Sequence, residues 1–529
     1  MMAEIQSLEV RVKEGSASTQ VEAPSTSIGA LVGNFSWGSV DELLLAANEQ
    51  DLVRKSGTPD NQNYKDWFTA KNFLNYSSAL RYVRIVGAGA LNSGDVSGHL
   101  VENDATFAID ATLVASGNSF IARYAGIKGN GITVSVADST TYAAWTHANE
   151  FSFAPTGDEF FIVVLLGGVI VERHYVSKDP AGRDAFNRNI YAADLINTQS
   201  SYIFVVPQTL ITSTAGVYDA IGGEYALASG NDGVAPLDGD YTAAWTKHFS
   251  NQDTIEVNLL MQGGASTVVG QHIMQNVASV RLDAQSFHSP METDVVAKAG
   301  VDVAVTAMKV TRNAYPANSK GVFDGNYKYQ KDLYNDIWRW VPLNGDHAGL
   351  YARTDYIKSV GSAASGHNRG QVKEVTKFAI EPNLANRNDM SNAQINPFVT
   401  FDGDGPLLYL DKTLLTKPNA FDSVGPRRLF NMIETAISRT SRFTLSEFNT
   451  PKEQAKFKRS MDMYFRGLIG RGDVVRALVV CDATTNTPDV VNAKNFSAKF
   501  YIEAPLPIRG IMLEFISTPF GVSFNEVIG

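Results

Sequence analysis

The chain has 529 residues, with 45 Lys and Arg against 55 Asp and Glu, a net charge of −10 and one cysteine. The acidic balance argues against a general nucleic-acid binder, the lone Cys481 excludes an internal disulfide framework, and no run approaches the ~18 apolar residues of a membrane span. Single cores stop growing near ~250 to 300 residues, so three or four domains are expected; the opening residues lack a basic-then-apolar leader, so the expectation is a protein made and kept in cytoplasm.

Residues 1–24 set Leu8, Val10 and Val12 in alternation with charges before turning rich in Ser, Ala and Thr. That is the pattern of an extended strand with no local partner sheet. In 25–86, an apolar run at Ser25–Val32, helical spacing at Asp41–Ala47 and Tyr64–Tyr76, and a returning strand at Arg81–Val86 predict a β-α-β piece of an α/β layer.

From 87 to 206 the texture changes to short β-rich runs, among them SFIARYAG, GITVSVA and EFFIVVLLGGVIVERHYVS, with a helical pattern only at Asn187–Ile196. A β-barrel or sandwich inserted between α/β elements is expected. Within it Gly126–Gly131 reads GIKGNG; it lacks the G-K-[ST] ending of a phosphate loop and no helix follows, so it is expected to be a turn before a strand.

Between 207 and 365 strands and helices alternate again, through Tyr241–Phe249, Ile255–Met261, Val268–Val277, Met291–Ala307 and Asn335–Trp340, as in a doubly wound α/β layer. An α+β unit is expected over 366–517. Pro426 is suited to the first position of a helix carrying Leu429, Phe430, Ile433, Ala436 and Ile437; Thr450, Pro451 and Glu453 form a capping box for a second, from Pro451 to Ile469, stopped by Gly470. Val474–Cys481 reads as a buried strand, Phe496–Ile502 as a half-exposed one, and Ile511–Ile516 as a third, before an alternating tail over 518–529. The fold class is thus a mixed, multidomain α/β and α+β chain with extended arms at both ends.

Enzymatic chemistry is not legible. The eight histidines are scattered, none in an H-G-T or H-E-x-x-H context, and no G-x-S-x-G or G-T-S-M nucleophile turn occurs. His347 with Asp355 can be drawn as a dyad, but it has no serine to serve. Asp402-Gly403-Asp404-Gly405 hints at calcium, yet Pro406 and Leu407 fall where the next ligand and glycine belong, which leaves a turn.

Several short motifs recur in order: Thr26-Ser27-Ile28 with Val32-Gly33, Tyr82-Val83-Arg84, Gly345 with His347–Gly349, Tyr351–Arg353 and Asp355, Gly366 with Asn368-Arg369-Gly370, Ile395-Asn396-Pro397, Arg427-Arg428-Leu429, Glu447-Phe448-Asn449, Val479–Asp482, Asn486-Thr487-Pro488 and Phe524–Gly529. Together they resemble the contractile-tail sheath proteins of large tailed bacteriophages, of the T-even type, from about Ser25 to the last residue. Asn344 stands where that family's motif has serine, and Leu410–Thr413 matches its W-G-x-K-T only in part.

The resemblance implies a subtilisin-like α/β layer and a subunit that polymerises helically around a tail tube, then contracts to drive the tube through the host envelope. It implies no cofactor, no nucleic acid and no membrane insertion; the partners would be further copies of the chain, in stacked hexameric rings, with the tail tube, baseplate and tail terminator. The subunit would be assembled in host cytoplasm and reside in the virion tail. Leu8, Val10, Val12, Phe520, Val522, Phe524 and Val527 would lie on arms that join neighbouring subunits, and Lys452, Lys456, Lys458 and Arg459 on a tube-facing helix. Two other readings are weighed: the sheath of a bacteriocin or secretion-type injection device, and a hydrolase with a degenerate subtilisin-like layer.

Overall fold

The computed structural model describes residues 24–206, apart from 111, 114 and 115, and residues 222–509. The arm residues Leu8, Val10, Val12, Phe520, Val522, Phe524 and Val527, and the strand expected at Ile511–Ile516, lie outside the described residues.

Strands β1 (Gly29–Asn34), β2 (Leu43–Ala46) and β3 (Leu80–Ile85) begin the central sheet. Helix α1 (Tyr64–Leu74) crosses between β2 and β3. The β-rich unit contributes β4 (Ile132–Asp138), β5 (Glu159–Leu166), β6 (Val169–Ser177) and β7 (Gly222–Ala226). The central sheet resumes with β8 (Leu259–Met261), β9 (Gln285–His288) and β10 (Gly321–Phe323), around helices α2 (Asp238–Phe249), α3 (Thr267–His272) and α4 (Val301–Ala314). A hairpin of β11 (Tyr327–Asp332) and β12 (Ile337–Pro342) leads into α5 (Asn344–Ile357). The last unit holds α6 (Val424–Ser441), α7 (Pro451–Arg471), β13 (Arg476–Val480) and β14 (Lys499–Glu503).

The central sheet has the order β10-β9-β8-β1-β3-β2, parallel except for β2. Leu31 faces one side with Leu80, Tyr82, Met261 and Phe287, against Phe68, Phe73, Leu350 and Tyr351. Ala30, Val32, Val83 and Leu260 face the other, against Trp245, Phe249, Ile273 and Val277. Strands covered on both faces call for near-continuous apolar runs, which β1 and β8 have, whereas β9 (Gln285–His288) buries three polar side chains; each large apolar side chain buried contributes roughly 1.5 to 3 kcal/mol.

Several expectations are corrected. Asp41–Ala47 is not a helix: Asp41 has φ +56, which breaks a helical start, and Leu43–Ala46 pairs antiparallel with β3 as the edge strand β2. The β-rich unit does not end at 206, because β7 pairs with β4, and Asn231–Asp232 with Ala90–Leu91. The helix expected at Asn187–Ile196 runs instead from Ala192 to Gln199, since Asn187 is left-handed (φ +61) in a turn held by the Asp184 carboxylate. Met291–Ala307 breaks at Ala297 (φ +58) into Glu292–Val295 and α4.

The boundary at 366 also moves. Val372, Phe378, Phe398 and Leu408 pack in the core under the central sheet, and Met390, Ile395 and Leu414 against α4, so the separate C-terminal core starts only with α6. Pro426 sits at the third helical position, where its missing N–H still costs nothing, behind Ser423 as cap. Helix α7 runs past Gly470 to Arg471 and ends on left-handed Gly472. The Thr450 hydroxyl accepts from Glu453 N at 3.3 Å, but the Glu453 carboxylate turns to Lys456, so half of the capping box forms. Val474–Cys481 is not a buried strand: β13 pairs only with β14 among the described residues and exposes Arg476 and Leu478.

Arg84 joins the α/β layer to the β-rich unit. It is 1% exposed and donates to the carbonyls of Phe35 and Gly38, both at 2.6 Å, and of Ala125 at 2.8 Å. Burial pulls its guanidinium down to about 10. Replacing it as Arg84→Met leaves three buried carbonyls without a donor at ~1 to 3 kcal/mol each. Urea unfolding should therefore lose at least ~3 kcal/mol; a loss under ~1 kcal/mol would show that solvent reaches those carbonyls.

Candidate functional site

Open doubly wound sheets bind ligands in the crevice beyond the carboxyl ends of their strands, where the strand order reverses. Here the reversal lies between β1 and β8, and side chains of the chain itself fill it. Asp66, from α1, accepts from Asn34 N at 3.0 Å, Gly264 N at 2.7 Å and the Tyr241 hydroxyl at 2.8 Å. Gly263 has φ +70 and lies so close that a Cβ there would stand 2.5 Å from the Asp66 carboxylate. Burial pushes the Asp66 carboxyl up, against the pull of these three donors.

The packing continues toward β10. The Asn344 amide accepts from Gly263 N at 3.1 Å and donates to Gly263 O and Ser289 Oγ, both at 3.0 Å. Ser289 Oγ donates to Asp324 at 3.0 Å, and His347 Nδ1 bonds the other oxygen of Asp324. Serine, histidine and aspartate are therefore present, but the carboxylate stands between the other two and all are buried. A nucleophile needs the base beside it and the substrate within reach, and neither condition is met.

His347 thus pairs with Asp324 rather than with Asp355, whose carboxylate receives both guanidinium nitrogens of Arg428 at 2.7 and 2.6 Å. Arg427 donates to Asn431 at 2.9 Å and Glu434 at 2.8 Å. Arg428 is thus a joint between segments, whereas the bonds of Arg427 stay within α6. GIKGNG is a 3₁₀ turn leading into β4, with Asn130 bonded to Gly230 and Ser93. Asp402–Gly405 is a hairpin turn whose Asp404 pairs with His367 at 2.9 Å, and no metal-binding cluster occurs among the described residues.

The C-terminal unit carries the candidate contact surface. Helix α7 buries Phe457, Met461, Phe465 and Leu468 against α6 and the hairpin. On its opposite side Lys452, Lys456 and Arg459 form an exposed stripe at i, i+4, i+7. Lys458 is off that stripe and half-buried. Arg466 and the exposed Met463 extend it to i+14 and i+11; charge counting near the helix start missed them, whereas following the 3.6-residue period along the helix finds them. On the hairpin face turned away from that core, β13 and β14 expose Leu478 and Tyr501 in register, flanked by the Arg476–Glu503 pair.

Residues 238–414 match the model of the phage tail sheath protein central domain. The chain is 28% identical to the tail sheath protein of Enterobacteria phage T4, over 98% of each chain. Its fold is that of the sheath tail protein of Listeria innocua, at a TM-score of 0.56 and 11% identity over 92% of this chain and 98% of that one. The helical sheath of the anti-feeding prophage in its contracted state gives a TM-score of 0.53 at 11% identity, over 98% of this chain and 100% of that one.

The filled crevice also makes a pH dependence. His288 ends β9 fully buried, bonded to Ser286 Oγ at 2.9 Å and Gln262 Oε1 at 3.3 Å, and burial pulls its imidazole down to about 3. The unfolded chain then binds this proton first, so the stability contribution is full above pH ~6.5 and lost as pH falls toward 3. Acid unfolding of His288→Gln should show a shallower loss between those limits than the native chain; identical slopes would mean His288 is reached by water.

Proposed function

We propose that this chain, which matches the central domain of phage tail sheath proteins and is similar to one of them from end to end, is the sheath subunit of a contractile phage tail. Sheath proteins are structural proteins, not enzymes. Subunits polymerise helically around a tail tube and contract to drive it through the host envelope. The relation over 98% of both chains supports this most, because it extends across every unit of the molecule. The filled crevice supports it too. Assembly occurs in host cytoplasm, with the tube, baseplate and terminator as partners; the finer description of the central layer as subtilisin-like draws on the resemblance alone. Electron microscopy of the purified chain should show tubes, and discrete particles under all conditions would count against the reading. A bacteriocin or secretion-type sheath is the second reading, favoured by the fold shared with the anti-feeding prophage sheath; a purified virion containing the chain would retire it.

The α7 stripe faces the tube in this proposal. Charge across an interface steers and sets register more than it adds affinity. Reversal at Lys452, Lys456 and Arg459 should weaken co-sedimentation with tube at low salt and matter little at high salt; unchanged sedimentation at low salt would retire the stripe as a tube contact.

Both terminal arms, with Leu8, Val10 and Val12 at one end and Phe520, Val522, Phe524 and Val527 at the other, add strands to sheets of neighbouring subunits. The edges of β13 and β14, which pair with no other strand among the described residues, suit such addition, at about 0.5 to 1.5 kcal/mol net per backbone hydrogen bond. Ending the chain at Ser517 should give a soluble, cooperatively melting subunit that forms no tubes. Normal tubes from that shortened chain would sink the arm mechanism.

A further inference from the structure

Helix α6 fastens the C-terminal unit to the core, and its two ends do so by different means. At the start Val424 lies in the main core, Leu429 sits against Gly361, and buried Arg428 clamps Asp355 while donating to Thr26 O at 2.7 Å. Midway the contacts become polar: the Asn431 amide donates to Ala284 O at 3.2 Å and accepts from Lys320 Nζ at 2.8 Å. At the far end the ion pairs among the described residues are more open to solvent: Arg439 with Glu256 at 3.0 Å, half-buried, and Arg442 with Asp253, exposed. Two gaps of about 10 Å³ line this seam, one beside Asn258 and Asn431, the other beside Leu282 and Arg439. The opposite side of α6 is apolar: Ile433 shares one core with Phe457 and Met461. The helix therefore belongs mechanically to the C-terminal unit.

We infer that the C-terminal unit swings as a body on the α/β core about the Arg428–Asp355 clamp, opening the seam at Arg439 and Arg442. The clamp is desolvated and bidentate, whereas exposed pairs are weak and screened by salt. Polar interfaces between units permit relative motion. From Arg428 to Arg442 the helix rises ~21 Å, so a small rotation at the clamp separates the distal pairs. For its use the inference rests on the sheath reading: C-terminal units knitted to neighbours could keep their contacts while the cores reorient.

The test measures single-molecule energy transfer in the full chain, with Cys481→Ser and dyes at Ala317→Cys on the core and Ala493→Cys on the C-terminal unit, both exposed positions. A longer-distance population should grow with salt, and Asp253→Lys with Glu256→Lys should raise it about three- to tenfold while leaving the melting temperature nearly unchanged. One distance, indifferent to salt and to the double variant, overturns the swing. So does a longer distance that appears only when hydrogen exchange exposes the α7 core, since that is unfolding. Tube formation by the same chain is scored separately: a rigid subunit that still polymerises sinks the swing and leaves the sheath reading standing.

Discussion

Most of the buried polar side chains of helix α5 find their partners within the protein, and the surrounding segments are arranged around that need. Asn344 is met by Gly263 and Ser289, Asp346 by Lys328 and Tyr76, His347 by Asp324, Tyr351 by Asp411, and Asp355 by Arg428. These partners come from the turn after α1, β11, the turns following β8, β9 and β10, the segment before α6, and α6 itself. A buried charge without its partner costs several kcal/mol, so half-docked arrangements of these segments are penalised. The apolar faces of the sheet supply the driving force for collapse; the contacts of α5 select which collapsed arrangement persists.

This division explains what the sequence revealed. The helices at Tyr64–Leu74 and Pro451–Arg471 are legible because their apolar period is local, and the second also carries a local cap at Thr450. Strand β2 is not, because Leu43–Ala46 becomes a strand only by taking the free edge of β3. The unit boundaries at 206 and 366 failed for the same reason. Strand β7 looks like the start of the next segment until it is paired with β4, and Phe378 and Leu408 look like a new domain until they are placed under the central sheet.

The short motifs behaved differently from the secondary structure. Tyr82-Val83-Arg84, Tyr351–Asp355 and Arg427-Arg428 resemble fragments of a family pattern, and each holds a residue that bonds across segments: Arg84, Tyr351 and Asp355, Arg428. They mark joints, which explains why they looked like chemistry without forming an active site. The α7 stripe was half legible. Three of its cations were named, while Lys458 turned aside, and Arg466 with Met463 needed the helix to be followed to its end.

The crevice closed by Asp66 has a material consequence. Interiors packed to crystal-like density compress little, and a cleft is where a doubly wound layer would ordinarily yield. With Asp66 bonded to β1, to the turn after β8 and to α2, the two halves of the sheet are pinned at the place where they would spread. The layer is then stiff in the direction in which an enzyme of similar plan would breathe. Displacement imposed at one edge of such a block reaches the other edge undiminished instead of being absorbed as a change of shape.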